Sequence, residues 1–132
     1  GLGAAARQAR RGDNRPLMSH TLTDPDLLAL LSDTLNGAAA PAGAAGAVIC
    51  LCAQWCGTCR EFATGFQQAA QAHPGLVFRW VDVEDESAAV GDLDVETFPT
   101  LVIGAADGGV RFAGPVLPQA AQIPRLLKSL GL

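Results

Sequence analysis

The chain of 132 residues has no tyrosine and a single methionine, and only 17% of its residues are charged. No apolar run approaches the ~20 residues of a transmembrane helix, so a span of that kind is excluded. The net charge is −4, so acidic side chains outnumber basic ones. The composition therefore does not predict binding to nucleic acid, which favours an excess of basic residues. Because 49% of the residues are hydrophobic, wholesale disorder is also excluded. The length suits one domain, which needs no metal or disulfide to stabilise its core.

Residues 1–17 differ in composition from the rest of the chain. They hold four of the nine basic residues but one of the thirteen acidic residues, so the remainder is more acidic than the net charge suggests. The long apolar core of a secretory signal peptide is missing from them. We therefore expect residues 1–17 to be a flexible leader or an added segment, with Met18 as the natural start. Residues 18–132 are expected to form a monomeric domain in the reducing environment of the cytoplasm.

The hydrophobic periodicity after Met18 predicts alternating helices and strands. The predicted elements are a helix from Thr23 or Asp24 to about Asn36, a strand over 47–53, a helix from about Cys56 to His73, a strand over 76–83, a short polar helix over 84–93, two strands over 99–103 and 110–114, and a last helix around 123–130. The turn between the last two strands predicts a β-hairpin. This order indicates an α/β fold of three layers, with a mixed central β-sheet flanked by helices.

The four cysteines lie within ten residues, at Cys50, Cys52, Cys56 and Cys59. Cysteines this close cannot cross-link distant segments, so they indicate a reactive or metal-binding site rather than a disulfide scaffold. Cys50 and Cys52 fall in an apolar strand, where a buried free thiol packs as a small hydrophobic group. We expect Cys52 to be inert packing, and the alternative is that it serves as a third redox-active thiol.

Cys56 and Cys59 stand where the buried strand gives way to a helix. Free N–H groups at a helix N-terminus stabilise a thiolate, which is the nucleophilic form of cysteine. Cys56, at the start of the helix and exposed, is therefore expected to attack a substrate disulfide. Cys59, one turn later and facing the interior, is expected to resolve the mixed disulfide. Trp55, Gly57 and Thr58 complete the motif and shape the site.

Zinc binding is the main alternative reading of such a CxxC motif. A structural zinc site usually needs a second Cys or His pair, and His20 and His73 are poorly placed to supply one. We therefore expect no metal at the site, and the remaining metal hypothesis is a carrier that uses all four cysteines.

The sequence resembles the thioredoxin family over roughly residues 22–132. The marks of the resemblance are AQWCGTCREF, VDVEDE after the second strand, Phe98-Pro99-Thr100 and the downstream Gly114. The resemblance implies a thiol–disulfide oxidoreductase that cycles Cys56 and Cys59 between dithiol and disulfide and needs no bound cofactor. It also implies disulfide-containing protein partners and an NADPH-dependent thioredoxin reductase as electron donor.

The same resemblance implies a substrate groove beside the cysteines. The proline of the family's x-Pro-Thr motif is cis, so Pro99 is expected to be cis and to shape the groove. Proline adopts the cis form at small cost and leaves no N–H beside the sulfur atoms. By the resemblance, the backbone of Thr97 binds substrate in extended form, and Phe98 and Gly114 border the groove.

Three positions depart from the family pattern. Thr58 replaces the proline that usually stands between the cysteines. A substitution there can shift the reduction potential, and each ~30 mV is a tenfold change in the redox equilibrium. Cys50 replaces a buried aspartate that relays protons to the second cysteine, and Trp80 falls where a lysine is usual. Proton transfer to Cys59 is therefore altered. This leaves open a redox-sensing binding module with little turnover.

Overall fold

The computed structural model describes residues 24–38, 40–53, 56–90, 98–116, 119 and 121–132. The predicted leader, Met18, Trp55 and Thr97 lie outside these ranges. Within the described part of the chain, no helix is long and apolar enough to cross a membrane.

Helices and strands alternate in the order predicted from the sequence. They are α1 (Pro25–Leu35), β1 (Gly46–Cys52), α2 (Gly57–Ala72), β2 (Leu76–Asp82), α3 (Ser87–Val90), β3 (Thr100–Ala105), β4 (Val110–Pro115) and α4 (Gln122–Ser129). The four strands form one sheet in the order β2-β1-β3-β4. Strands β1 and β2 are parallel, and the other two pairs are antiparallel. The predicted α/β class and mixed sheet are confirmed.

Strand β1 is central, and all seven of its residues are buried, which explains its unbroken run of apolar residues. Successive side chains of a strand point to opposite faces. The odd-numbered residues from Ala47 to Leu51 pack with α1. The even-numbered residues from Val48 to Cys52 pack with α2 and α4. The sheet therefore separates two apolar clusters, and the cysteines of β1 face α2.

The helix starts follow local chemistry. Asp24 caps α1, because its side chain accepts a hydrogen bond from the Asp26 N–H at 2.8 Å, and Pro25 occupies the first helical position. Pro124 is the third residue of α4, within the first turn as predicted, where no intrahelical N–H is required.

The predicted hairpin joins β3 and β4. The Asp107 carboxylate accepts a hydrogen bond from the Gly109 N–H at 2.8 Å. Gly108 has φ +86°, a conformation that other residues rarely adopt. These contacts explain why the Asp-Gly-Gly sequence reverses the chain here.

The predicted polar helix begins later than expected. Residues 83–86 form turns, and α3 begins only at Ser87. In this turn the Asp82 side chain accepts hydrogen bonds from the N–H groups of Glu84 at 2.9 Å and Asp85 at 3.1 Å. Such bonds are typical of an Asx turn, which here precedes the helix. Residues 91–93 of the predicted helix lie outside the described ranges.

Candidate active site

Cys56 is the N-cap residue of α2. Its backbone is extended, with φ −84° and ψ 119°, and its side chain makes no capping hydrogen bond to the helix. Its N–H donates to the Ala53 carbonyl at 3.0 Å, and its carbonyl accepts from the Arg60 N–H at 3.3 Å. Cys56 is a free, partly exposed thiol, and Gly57 beside it is exposed. This is the position predicted for an attacking thiolate.

Thr58 contacts the sulfur of Cys56. The distance from the Thr58 hydroxyl oxygen to the Cys56 Sγ is 2.9 Å, and the hydroxyl is the donor when the sulfur is ionised. This hydrogen bond lowers the pKa of the Cys56 thiol below its ordinary value. The nearby backbone N–H groups of Cys59 and Thr58 and the charge of Arg60 also lower the pKa, whereas burial opposes them. Nearby donors thus favour the reactive form of Cys56.

Cys59 is bonded to Cys52, not to Cys56. The Cys52–Cys59 disulfide joins the end of β1 to the third residue of α2, with Cα atoms 5.9 Å apart. Both residues are 1% exposed. The predicted Cys56–Cys59 disulfide is therefore not the one present, and Cys52 is bonded rather than a free thiol that packs as a small hydrophobic group. Cys59 does face the interior, as predicted.

The directions of the side chains explain this pairing. Cys52 points toward α2 because it shares a face of β1 with Val48 and Cys50, and Cys59 lies on the buried face of α2. Cys56 caps the helix, and its sulfur contacts the exposed Thr58 side chain instead. The two-residue alternation of β1 was the available signal, since it places Cys52 on the face that α2 covers.

Cys50 is a free thiol with no exposed surface, as expected of a cysteine in this strand. Its Sγ lies 3.6 Å from the Cys52 Sγ, and Cys50 is the donor of this contact because Cys52 is bonded. Burial raises the pKa of the Cys50 thiol well above its ordinary value. Trp80 pairs with Cys50 across β1 and β2, so two of the three departures from the family pattern are neighbours in the sheet.

The residues predicted for the substrate groove are only partly described. The Phe98–Pro99 peptide bond is cis, which is the isomer that the resemblance implies. Pro99 is buried, and its carbonyl accepts from the Val116 N–H at 3.0 Å. Phe98 packs against the cluster that contains Cys59. Gly114 pairs with Leu101 in the sheet and makes no described contact with a cysteine.

A surface cleft of about 510 Å³ borders the disulfide. Cys59 and Trp80 line it together with the acidic residues Asp82 and Asp85. The cleft brings charged side chains close to Cys59, which is itself only 1% exposed.

Metal binding finds no support in the described side chains. Among them, no group of three or more His, Cys, Asp or Glu residues is arranged to hold a metal ion. The Cys52–Cys59 bond also removes two of the four thiolates that a cysteine-based carrier would need.

Comparison with known proteins identifies sequence relatives of this chain. A family model described as Thioredoxin matches residues 41–118. A thioredoxin-named protein of Streptomyces coelicolor is 40% identical over 70 residues, which are 52% of this chain and 52% of that protein. Thioredoxin C-3 of Corynebacterium nephridii is 38% identical over 56 residues, which are 42% of this chain and 39% of that protein. The chain thus spans about half the length of the curated relatives it matches.

Solved structures agree with the fold. The X-ray structure of Fasciola hepatica thioredoxin has a TM-score of 0.58 and 26% identity, and the match covers 65% of this chain and 81% of that one. Oxidised thioredoxin O2 of Arabidopsis thaliana has a TM-score of 0.57 and covers 76% of this chain and 83% of that one. At 23% identity, this second likeness speaks for the fold alone.

Proposed function

Because the chain belongs to the thioredoxin family, we propose that it is a thiol–disulfide oxidoreductase in which Cys56 is the nucleophile and Cys59 the resolving cysteine. Cys56 attacks one sulfur of a substrate disulfide, and a mixed disulfide forms as the other substrate sulfur leaves as a thiolate. Cys59, once reduced, then attacks the Cys56 sulfur, which releases the second substrate thiol and leaves a Cys56–Cys59 disulfide. The substrate gains two electrons and the protein loses two.

The observation that carries the proposal is the surrounding of the Cys56 sulfur. This sulfur stands at the N-terminus of the 16-residue helix α2 and accepts a hydrogen bond from the Thr58 hydroxyl at 2.9 Å. The pKa of the Cys56 thiol is below its ordinary value. A thiolate that is partly exposed at a helix N-terminus is poised for attack on a disulfide. Cys59 follows within one turn, so the mixed disulfide forms next to its resolving thiol.

The partners follow from this chemistry. We propose that the substrates are disulfide-containing proteins, which would bind in extended form beside Phe98 and Pro99. An NADPH-dependent thioredoxin reductase would return the oxidised domain to the dithiol, most readily in the cytoplasm. These assignments extend the family relationship to this chain.

The test is reduction of insulin disulfides by dithiothreitol, followed by turbidity at neutral pH. We expect the wild type to accelerate the reaction, Cys56→Ser to fall to the uncatalysed rate, and Cys59→Ser to accumulate the mixed disulfide. Cys50→Ala is the matched control, because it removes a neighbouring buried thiol and is expected to keep the wild-type rate. A wild type no faster than Cys56→Ser would refute the proposal.

One observation favours a second function, a redox-responsive binding module with little turnover. The Cys52–Cys59 bond occupies the resolving thiol, and a domain held in that form would have a free Cys56 but no partner for it. Slow turnover that persists after full reduction of the protein would support this module, whereas rapid turnover after reduction would favour the oxidoreductase.

A further inference from the structure

Cys59 is bonded to one cysteine and lies one helical turn from another. Its sulfur is bonded to the buried Cys52 at the end of β1. Cys56, a free and partly exposed thiol, is the N-cap residue of the same helix, three residues earlier. Cys59 therefore has a buried cysteine as its present partner and a partly exposed thiol as its neighbour along α2.

We propose that Cys52 is a third redox-active cysteine, and that the oxidised protein exchanges between a buried Cys52–Cys59 disulfide and a surface Cys56–Cys59 disulfide. This inference rests on the proposed function, since it assigns the fate of the disulfide that the oxidoreductase cycle produces. In the buried form, Cys56 is a free nucleophile although the protein is oxidised.

The exchange needs no external oxidant or reductant. The Cys56 thiolate attacks the Cys59 sulfur, so a Cys56–Cys59 bond forms while the Cys52–Cys59 bond breaks. The electron pair leaves with Cys52 as a thiolate, which takes a proton from water. In the reverse direction the Cys52 thiolate attacks Cys59 and Cys56 leaves. Among Cys52, Cys56 and Cys59, one disulfide and one free sulfur are present before and after the exchange.

The surroundings of the Cys52 and Cys56 sulfur atoms determine which of the two disulfides is favoured. A negative charge on Cys52 would lie in an apolar cluster, where Cys52 is 1% exposed, and such a charge is costly. A thiolate at Cys56 accepts a hydrogen bond from the Thr58 hydroxyl and is stabilised by the N-terminus of α2. At neutral pH the exchange therefore favours the buried disulfide with Cys56 free. The thiol of Cys50, 3.6 Å from the Cys52 sulfur, is too deeply buried to replace Cys56 in this role.

Disulfide mapping after oxidation with diamide tests the proposal. Chymotrypsin cleaves after Trp55 and Phe62, so Cys56 and Cys59 fall in one peptide and Cys52 in another. A Cys52–Cys59 bond thus links two peptides, whereas a Cys56–Cys59 bond lies within one. The variants are Cys56→Ser, which alters a partly exposed position, the double variant Cys52→Ala/Cys56→Ser, and Cys50→Ala as the matched buried control.

We expect Cys56→Ser to lose two thiols on oxidation and to yield the linked peptides, and the double variant to lose none. Wild type and Cys50→Ala should both yield the linked peptides as the major product at neutral pH. The inference is overturned if Cys56→Ser stays a dithiol, if Cys50 is the linked residue, or if the wild type yields only the Cys56–Cys59 form. Insulin reduction is scored separately, so a wild type that maps as expected but fails to reduce insulin refutes the proposed function alone.

Discussion

Replacement of Thr58 by valine should weaken the ionised form of Cys56. Valine keeps the branched shape of threonine but lacks the hydroxyl that lies 2.9 Å from the Cys56 sulfur. Since this hydroxyl is the first of the groups that lower the Cys56 pKa, we expect that pKa to rise in Thr58→Val. Thr58→Ser retains the hydroxyl and is the matched control.

The size of the effect follows from the exposure of the site. A hydrogen bond to a charged group contributes about 1.5–3 kcal/mol when it is shielded from water. Thr58 is exposed and water replaces part of what is lost, so roughly 0.5–1 kcal/mol is appropriate here. This corresponds to about a two- to fivefold smaller thiolate population at any pH well below the pKa. Because a more basic thiolate is also a better nucleophile, with a Brønsted coefficient of about 0.4–0.5, about half of this loss is offset in the rate.

The pH profile of Cys56 alkylation by iodoacetamide tests this reasoning. The label is located on Cys56 of the reduced protein by tandem mass spectrometry. Relative to wild type, Thr58→Val should react about 1.5- to 2.5-fold more slowly at low pH and about 1.5- to 2-fold faster where the thiol is fully ionised. The two profiles should cross. Thr58→Ser should follow the wild type, and Arg60→Gln should shift less than Thr58→Val, because the Arg60 charge has a smaller effect on the Cys56 pKa than the Thr58 hydroxyl. Coincident profiles for wild type and Thr58→Val would refute the assigned role of the hydroxyl, and a uniform slowing at every pH would indicate a steric effect instead.

Three further predictions concern stability, each measured as the free energy of unfolding by chemical denaturation. Gly46→Ala should lose about 1–3 kcal/mol, because its new methyl group would collide with the backbone carbonyl of Gly104. The control is Gly75→Ala, whose methyl group would meet nothing within 4 Å and which should lose no stability. Equal losses in the two variants would contradict this prediction. Phe66→Ala should lose about 3–5 kcal/mol, since Phe66 is 4% exposed and contacts three other aromatic rings, and a loss below about 1 kcal/mol would show that these contacts are weak. Burial raises the pKa of Cys50 above the ordinary 9.0. Above pH 9 the unfolded chain therefore releases a proton that the folded protein retains, and the free energy of unfolding should fall by up to about 1.4 kcal/mol per pH unit. The decline should be shallower in Cys50→Ala, and identical slopes would refute the assignment.

Residue pattern alone predicted most of the fold. The apolar run of β1, the helical spacing after Trp55 and the Asp-Gly-Gly turn each reflect local rules, and each element formed where expected. The start of α3 was predicted three residues too early, because residues 83–86 form turns in which the Asp82 side chain accepts two backbone hydrogen bonds. A hydrophobic pattern carries no information on such a turn.

The bonding within the candidate site could not be predicted from the sequence. Sequence spacing suggests that Cys56 pairs with Cys59, because only two residues separate them. Which sulfur atoms meet depends on how the inner face of α2 lies over the end of β1, and this is a property of the packed layers. The same holds for Thr58, whose hydroxyl lies 2.9 Å from the Cys56 sulfur at the folded start of α2.

The sheet also divides the molecule for protein engineering. Leu27, Leu30 and Leu31 of α1 pack on one side of it, whereas Cys50, Cys52 and Cys59 lie on the other. Substitutions at sites that share no contacts have nearly additive effects on stability. The α1 side can therefore be redesigned for heat resistance, or weakened to serve as a folding reporter, while the sulfur chemistry on the opposite side keeps its native surroundings.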